Sequence, residues 1–286
     1  MGSRFLPWSK VVTKDFLPIL SKPVIQYVID EIKEAGITEI LIVTKKPGTL
    51  TEAYFEPAKS MEEFLKYKGK DKELEKLLSL NKDIKTKFIY QDDPRAGNSI
   101  ALKAAKGELI EDDAFLLYYI DDLIDCGNNA QNRAQLLVES YRKTGKSTVS
   151  IVKSKSENDP NIYGMPIIGD EIHENLFSIK GIKEKPGIAA KPSSYISTAG
   201  YVLNKDIWDY LDNLVIADSG EYEITDALEL MARDDLLNGL CIDGVHLDTG
   251  NPLSYLKTQL YFALNKSDNR DELRQLAQEI LNKEDF

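Results

Sequence analysis

The chain has 286 residues, of which 42% are hydrophobic and 29% charged. That is enough apolar material for one elaborated core, so a single α/β domain is expected and global disorder is excluded. Thirty-six basic residues against 47 acidic ones leave a net charge of −11, the wrong sign for a protein that tracks nucleic-acid phosphates. No apolar run approaches the ~20 residues of a membrane span, so no membrane partner is expected. Cys126, Cys241, His173 and His246 show no metal-type spacing. Any catalysis therefore falls to carboxylates, lysines, arginines and hydroxyls. The N-terminal residues carry no apolar leader pattern, and a cytoplasmic location is expected.

In chain order, Val24, Ile25, Val28, Ile29 and Ile32 recur at helical spacing, and Gly36 stands where a helix C-terminal glycine belongs. A short buried strand over Glu39–Thr44 follows, and residues 51–81, rich in Lys and Glu, read as surface helices inserted between strands. Residues 87–90 read as a strand and 99–106 as a helix. The run 114–120 reads as a fully buried strand ending in the acidic turn Asp121-Asp122. A helix over 129–143 comes next, then strands over 148–153, 165–168, 178–184 and 195–203. Helices are expected over 207–214, 225–233, 252–264 and Arg270–Leu281. This alternation predicts βαβ units and a mainly parallel sheet with functional loops at strand C-termini, where the acidic turn lies.

Arg4, Lys10 and Lys14 precede the first acidic residue, Asp15, in an otherwise acidic chain. Phosphate groups favour bidentate guanidinium, ammonium groups and free backbone N–H groups near a glycine, and Gly2-Ser3-Arg4 offers the first and last of these. On charge spacing alone the segment reads first as a solvated basic surface. Spacing likewise describes Asp121-Asp122 as a turn and Asp248 as a helix cap.

The order of residues changes that reading. The segment GSRFLPWSKVVTKDFLPILSKP, from Gly2 to Pro23, resembles the start of bacterial UTP-glucose-1-phosphate uridylyltransferases, G-x-G-T-R-x-L-P-x-T-K-x-x-P-K-E-M-L-P-L-x-x-K-P. Further landmarks follow in register: Gln91, Asp121-Asp122, Tyr163-Gly164, Glu184-Lys185-Pro186, Gly200-Tyr201, GEYEITDAL over 220–228, and Asp248-Thr249-Gly250-Asn251.

The resemblance implies a Rossmann-like mixed, mainly parallel sheet flanked by helices, of the nucleotidyltransferase or glycosyltransferase-A-like type. It implies one domain over 1–265, with a nucleotide-binding part to about 145, a sugar-binding part over about 146–250, and a C-terminal helical extension over 266–286. Asp121 and Asp248 would hold Mg²⁺, which takes hard oxygen ligands from one or two carboxylates plus substrate phosphates. Asp122 would either support the metal ligands from behind or be structural. Arg4 and Lys14 would bind the triphosphate and, with Lys185, serve catalysis, while Gly2, Ser3 and Lys10 complete the nucleotide loop. Gln91 would read the uracil edge. Tyr163, Gly164 and Gly200 would line the sugar-phosphate pocket, Glu184 would accept from glucose hydroxyls, Lys185 would hold the sugar phosphate, and Thr225 and Asp226 would shape the site.

The implied reaction joins UTP and glucose 1-phosphate to give UDP-glucose and pyrophosphate. Alternatives are the same reaction with dTTP or CTP, or a catalytically silent sugar-nucleotide-binding protein. The C-terminal amphipathic helices suit a homo-oligomer, dimer or tetramer. Departures from the family pattern are Thr13 and Asp15 around Lys14, Ile120 in place of a proline, and AGNSIA over 96–101 in place of G-L-G-H-A-V. The family's first strand, K-A-V-I-P-A-A-G, has no counterpart before Gly2, so the natural protein is expected to begin upstream of Met1.

Overall fold

The computed structural model describes residues 3–93, 95, 97–214 and 221–282. Short 3-10 turns and a small hairpin, β1 (Pro18–Ile19) with β2 (Lys22–Pro23), lead into α1 (Val24–Glu34). Val24, Ile25, Val28, Ile29 and Ile32 form the buried face of this helix. Gly36, at φ 82°, ends it by donating its N–H to the Lys33 carbonyl at 2.9 Å. β3 (Glu39–Thr44) pairs in parallel with β4 (Lys85–Tyr90). Parallel pairing needs a crossover, and here it contains α2 (Leu50–Phe55), α3 (Lys59–Tyr67) and α4 (Asp71–Ser79).

Next come α5 (Asn98–Leu109), β5 (Ala114–Tyr118), β6 (Asp122–Asp125) and α6 (Arg133–Thr144). The last helix starts at Arg133 rather than at 129, because Asn132 and Gln135 form a capping box, with Asn132 Oδ1 accepting from Gln135 N at 2.9 Å. The remaining elements are β7 (Ser147–Lys153), β8 (Met165–His173), β9 (Leu176–Lys183), β10 (Tyr195–Asn204), α7 (Ile207–Asp212), α8 (Ile224–Arg233), β11 (Leu237–Cys241), β12 (Val245–Asp248), α9 (Pro252–Asn265) and α10 (Arg270–Leu281).

A six-stranded sheet runs β5-β10-β7-β11-β9-β8. Its strands alternate faces with the period of two that pleating imposes. Val149 and Ile151 of β7 pack with Leu228 and Met231 of α8, while Val152 joins Leu137 of α6 in a separate cluster. The expected mixed α/β sheet flanked by helices is what the chain forms. Among the described residues, parallel pairing is confined to β3–β4 and β7–β11. Turn chemistry explains this: Glu174-Asn175, with Asn175 at φ 60°, joins β8 to β9 directly, and a hairpin is antiparallel by construction.

The expectation of fully buried strands at β3 and β5 is corrected. β5 stops at Tyr118, before Ile120, and all of its residues are half-buried, as are Ile40 to Thr44 of β3. By contrast, Ser147 to Val152 of β7 are buried. The reason is that, among the described residues, each pairs on one side only, β3 with β4 and β5 with β10.

Arg133, 0% exposed, ties α1, α6 and β6 together. Its Nε donates to Glu31 Oε1 at 3.0 Å, its Nη1 to Asp122 Oδ1 at 3.0 Å, and its Nη2 to the Asp122 carbonyl at 3.1 Å. The guanidinium also lies 4.6 Å from the centroid of the Tyr118 ring. Removing one partner of a buried ion pair strands the other charges. Arg133→Met is therefore expected to cost about 3–5 kcal/mol in urea unfolding. A cost under about 1 kcal/mol would mean that Glu31 and Asp122 find other partners.

Candidate active site

The apolar strand β5 carries the chain into a tight turn, Tyr119 to Asp122, whose Asp122 N–H donates to the Tyr119 carbonyl at 3.3 Å. Tyr119 is held to β10 by its own N–H, which donates to the Ala199 carbonyl at 3.2 Å. β6 then pairs antiparallel with β12 in the register Asp122 with Asp248. That ladder brings two acidic segments more than a hundred residues apart to one place.

Asp121 and Asp122 turn to opposite tasks. Asp122 is inside, bonded to Arg133 and, through Oδ2, to His246 Nε2 at 2.9 Å. Burial acts to raise its pKa, but His246 and Arg133 together outweigh burial and hold the carboxyl below its ordinary value. The His246 imidazole is correspondingly raised: burial opposes its charge, and the Asp122 carboxylate more than compensates. Asp122 is thus held inside by Arg133 and His246.

Asp121 instead accepts from Lys14 Nζ at 2.5 Å through Oδ2, and its carbonyl accepts from Thr249 N at 2.8 Å. A Cβ on Gly250 would fall 3.0 Å from Asp248 Oδ1 and 3.1 Å from Asp121 Oδ2, so both carboxylates border the one space that glycine leaves open. Asp248 accepts from Gly250 N at 2.6 Å and from the Tyr163 hydroxyl at 3.2 Å. The helix cap is Asn251, not Asp248: Asn251 Oδ1 accepts from Ser254 N at 3.0 Å, with Pro252 in the first turn of α9.

Tyr163 and Gly164 link this acidic pair to a second cluster. A Cβ on Gly164 would lie 3.2 Å from Glu184 Oε2 and 2.7 Å from Ser197 Oγ, so only glycine lets the chain pass this close. Glu184 accepts from Thr225 Oγ1 at 2.9 Å and pairs with Lys185 Nζ at 2.9 Å. Lys185 sits at φ 43°, in the left-handed region, just past the end of β9. Burial opposes its charge, yet the hydrogen bond it donates to Glu184 and the neighbouring acids raise its pKa above its ordinary value.

The sequence-derived residues thus separate into groups. Lys14 with Asp121 and Tyr163 with Asp248 form two hydrogen-bonded pairs beside Gly250, and Glu184, Lys185, Gly164 and Thr225 form the adjoining cluster. Arg4 and Lys10 are exposed, without an ion pair to another described residue. Ser3 opens the first 3-10 turn, and Gly2 lies outside the described residues. Gln91 follows β4 and donates its N–H to the Thr44 carbonyl at 2.7 Å. Asp226 lies on α8, and its Oδ2 is buried without a hydrogen-bond partner. Gly200 stands inside the β10–β5 ladder opposite Tyr118, and a Cβ there would press on Arg133 at 2.9 Å. The structure therefore places Gly200 against the buried guanidinium of Arg133.

Sequence reasoning missed the clamp between the AGNSIA loop and the GEYEITDAL segment, whose Ala96 and Gly220 lie outside the described residues. Ser99 Oγ donates to the Tyr222 carbonyl at 2.7 Å and Asn98 Oδ1 accepts from Ile224 N at 2.6 Å. Gly97 at φ 129° passes so close to the Tyr222 backbone that any Cβ would overlap it. Arg95 lies 5.0 Å over the Tyr222 ring and binds Asp93. The Gly-Asn-Ser triplet was the available signal.

Comparison with known proteins gives the class. The nucleotidyl transferase family matches residues 1–263, and the chain belongs to that family. Among curated relatives, UTP--glucose-1-phosphate uridylyltransferase 1 of Staphylococcus saprophyticus is 32% identical over 98% of this chain and 95% of its own. The protein of that name from Streptococcus pyogenes is 31% identical over 96% of this chain and 89% of its own. Among solved structures, a UTP-bound UGPase from Acinetobacter baumannii superposes with a TM-score of 0.86 at 28% identity, covering 98% of this chain and 95% of that one. A UDP-glucose pyrophosphorylase complexed with UDP-glucose superposes at 0.81 and 26% identity, covering 93% and 96%.

Glu223, beside the Glu184 cluster, is pushed up to about 7, first by burial and then by Glu221 and Glu184. A carboxyl raised in the fold favours the folded state while protonated. Its contribution is full below its unfolded value of 4.5 and is lost as pH rises through about 7. Glu223→Gln should therefore leave stability at pH 4 nearly unchanged and raise it at pH 8 by about 1 kcal/mol, after discounting for a half-exposed site. Urea unfolding at the two pH values checks this, and an equal gap at both would refute it.

Proposed function

We propose that the protein transfers a uridylyl group from UTP to glucose 1-phosphate, giving UDP-glucose and pyrophosphate with Mg²⁺ as cofactor. The observation that carries this reading is the meeting of Asp121 and Asp248 around Gly250, beside Lys14, in a chain that spans nearly the full length of the uridylyltransferases it resembles. Among the described residues no group of three or more metal-type side chains occurs. Two carboxylates suit Mg²⁺, which completes its shell with water and phosphate oxygens. Both carboxylates border the space beside Gly250, which supports a cation held by the two of them.

In the proposed reaction a phosphate oxygen of glucose 1-phosphate attacks the α-phosphorus of UTP in line with departing pyrophosphate. Mg²⁺ held by Asp121 and Asp248 would neutralise phosphate charge. Lys14 sets the orientation of Asp121 and, with Arg4 and Lys10, brings positive charge to the triphosphate. Gly2 and Ser3 offer backbone N–H groups, and Gln91 presents an amide to the base. Tyr163 fixes Asp248 by donating to it. Glu184, held by Thr225, accepts from sugar hydroxyls, while Lys185 receives the sugar phosphate that lies between the two clusters. Catalysis then rests on positioning and charge complementarity, with no covalent enzyme intermediate.

In the same reading, residues to about 145 serve the nucleotide and those over about 146–250 serve the sugar, with 266–286 as a helical extension. Exposed Leu253, Leu256 and Leu260 on α9 and Leu276 and Ile280 on α10 support a homo-oligomer, dimer or tetramer. Among the described residues no helix is long and apolar enough to cross a membrane. With Cys126 and Cys241 both free, this supports a cytoplasmic location.

Pyrophosphate release with glucose 1-phosphate, Mg²⁺ and each nucleoside triphosphate in turn tests the reading, beside calorimetric binding of UTP. UTP is expected to be preferred over dTTP and CTP. UDP-glucose binding without turnover would assign the fold to a silent binding protein, and neither binding nor turnover would overturn the proposal. Asp121→Asn and Asp248→Asn should each lower kcat by at least about 100-fold with the circular dichroism spectrum unchanged. Full activity in either variant would remove that residue from the site.

A further inference from the structure

We propose that Asn98 is a positioning residue for the sugar-phosphate end of the site: its carboxamide caps α8 from the start of α5, and α8 in turn sets the place of Glu184 and Lys185. What those two residues hold is taken from the uridylyltransferase reading; how they are held is independent of it. Asn98 belongs to AGNSIA, one of the chain's departures from the family pattern, and this gives that segment a task.

A helix begins with N–H groups that its own hydrogen-bond ladder leaves unpaired. In α8 the residue at the cap position, Glu223, makes no side-chain cap bond. The bond comes from another element, since Ile224 N donates to Asn98 Oδ1 at 2.6 Å. Asn98 is the first residue of α5, and its neighbours fix the approach. Gly97 lets the Tyr222 backbone come closer than any Cβ permits. Ser99 donates to the Tyr222 carbonyl through its N–H at 3.1 Å and through its Oγ at 2.7 Å. Those contacts hold the stretch before α8, whereas Asn98 reaches an N–H of the helix itself.

Two side chains on one face of α8 grip the end of β9. Thr225 Oγ1 donates to Glu184 Oε2 at 2.9 Å. One turn further on, Glu229 accepts from Ile182 N and, at 3.0 Å, from Lys183 Nζ. Residues at i and i+4 share a helix face. A Cβ on Gly181 would fall 2.8 Å from Glu229 Oε2, so glycine there lets the carboxylate reach the strand backbone. β9 ends at Lys183, and Glu184 and Lys185 follow directly. Their placement is therefore set at two points about 6 Å apart along the α8 axis. A helix is stiff over that length, so a shift of its first turn moves both grips together. Misplacing a positioning group by about 1 Å costs on the order of 100-fold in rate, which makes the cap at Ile224 matter to groups that Asn98 reaches only through α8.

The test compares wild type with Asn98→Ala, which removes the acceptor, Asn98→Asp, which keeps it, and Thr225→Val. In steady-state kinetics with UTP, glucose 1-phosphate and Mg²⁺, Asn98→Ala is expected to raise KM for glucose 1-phosphate about 10-fold, with KM for UTP within about 2-fold of wild type. Asn98→Asp should recover most of that loss. Asn98→Ala combined with Thr225→Val should lose less than the sum of the two single changes, because both cut one connection. Equal rises for the two substrates, no rescue by Asn98→Asp, or additive losses would each overturn the proposal.

Amide hydrogen exchange at Ile182 reads the same connection without turnover, since that N–H is bonded to Glu229 at the far end of the relay. Asn98→Ala should speed its exchange about 10-fold and Asn98→Asp should restore it, with the buried strand β7 unchanged in both. Unaltered exchange at Ile182, or equal acceleration across β7, would refute a positioning role. A wild-type chain without turnover would count against the uridylyltransferase reading alone, because the exchange at Ile182 stands apart from it.

Discussion

The register of Asp122 with Asp248 across the β6–β12 ladder is the constraint on which the site depends. Shifting a strand pairing by one residue would turn every side chain of that strand to the other face. With this register, Asp121 and Asp248 border the space left by Gly250, while Asp122 points inward to Arg133 and His246. The buried ion-pair network is therefore a positioning device. Arg133, held from α1 by Glu31, grips both the side chain and the carbonyl of Asp122 and so fixes the turn that presents its neighbour.

For the proposed reaction, an acidic chain of net charge −11 faces a difficulty in binding triphosphates and sugar phosphates. The structure meets it locally. Lys14 lies against Asp121, and Lys185 lies against Glu184, so each cation is held in place by a carboxylate before substrate arrives. Such pairs add little to stability at half-exposed positions. Their value is in preorganisation, since a side chain already held loses less freedom on binding. Arg4 and Lys10, which have no such partner among the described residues, remain on the exposed rim.

Much of the helical framework was legible in residue order, because apolar spacing and end signals are local. The α1 stripe ending at Gly36, and α10 over Arg270–Leu281, needed nothing beyond that spacing. β6, β11 and β12 were not legible. DLID and VHLD are four residues long and carry acids, and LNGLC contains Asn and Gly, so none has a strand pattern of its own. They exist because partners already in place offer ladder hydrogen bonds. The same holds for Gly200, whose neighbour is a guanidinium from a distant helix, and for the Gly97–Tyr222 approach, which joins segments more than a hundred residues apart.

By itself, the sequence determined the α/β class, the helix limits set by caps and glycines, and, through the ordered likeness of its motifs, the family and the residues that the proposed chemistry needs. Tertiary structure alone decided which acid of the Asp121-Asp122 pair faces the Gly250 space, which cations stand beside the carboxylates, and which strands run parallel. Among the described residues it also paired β3 with β4 and β5 with β10. The physical reason is range. Helical periodicity and capping act within a few residues, whereas ladder register, ion-pair geometry and burial depend on partners brought together only when the whole chain has folded.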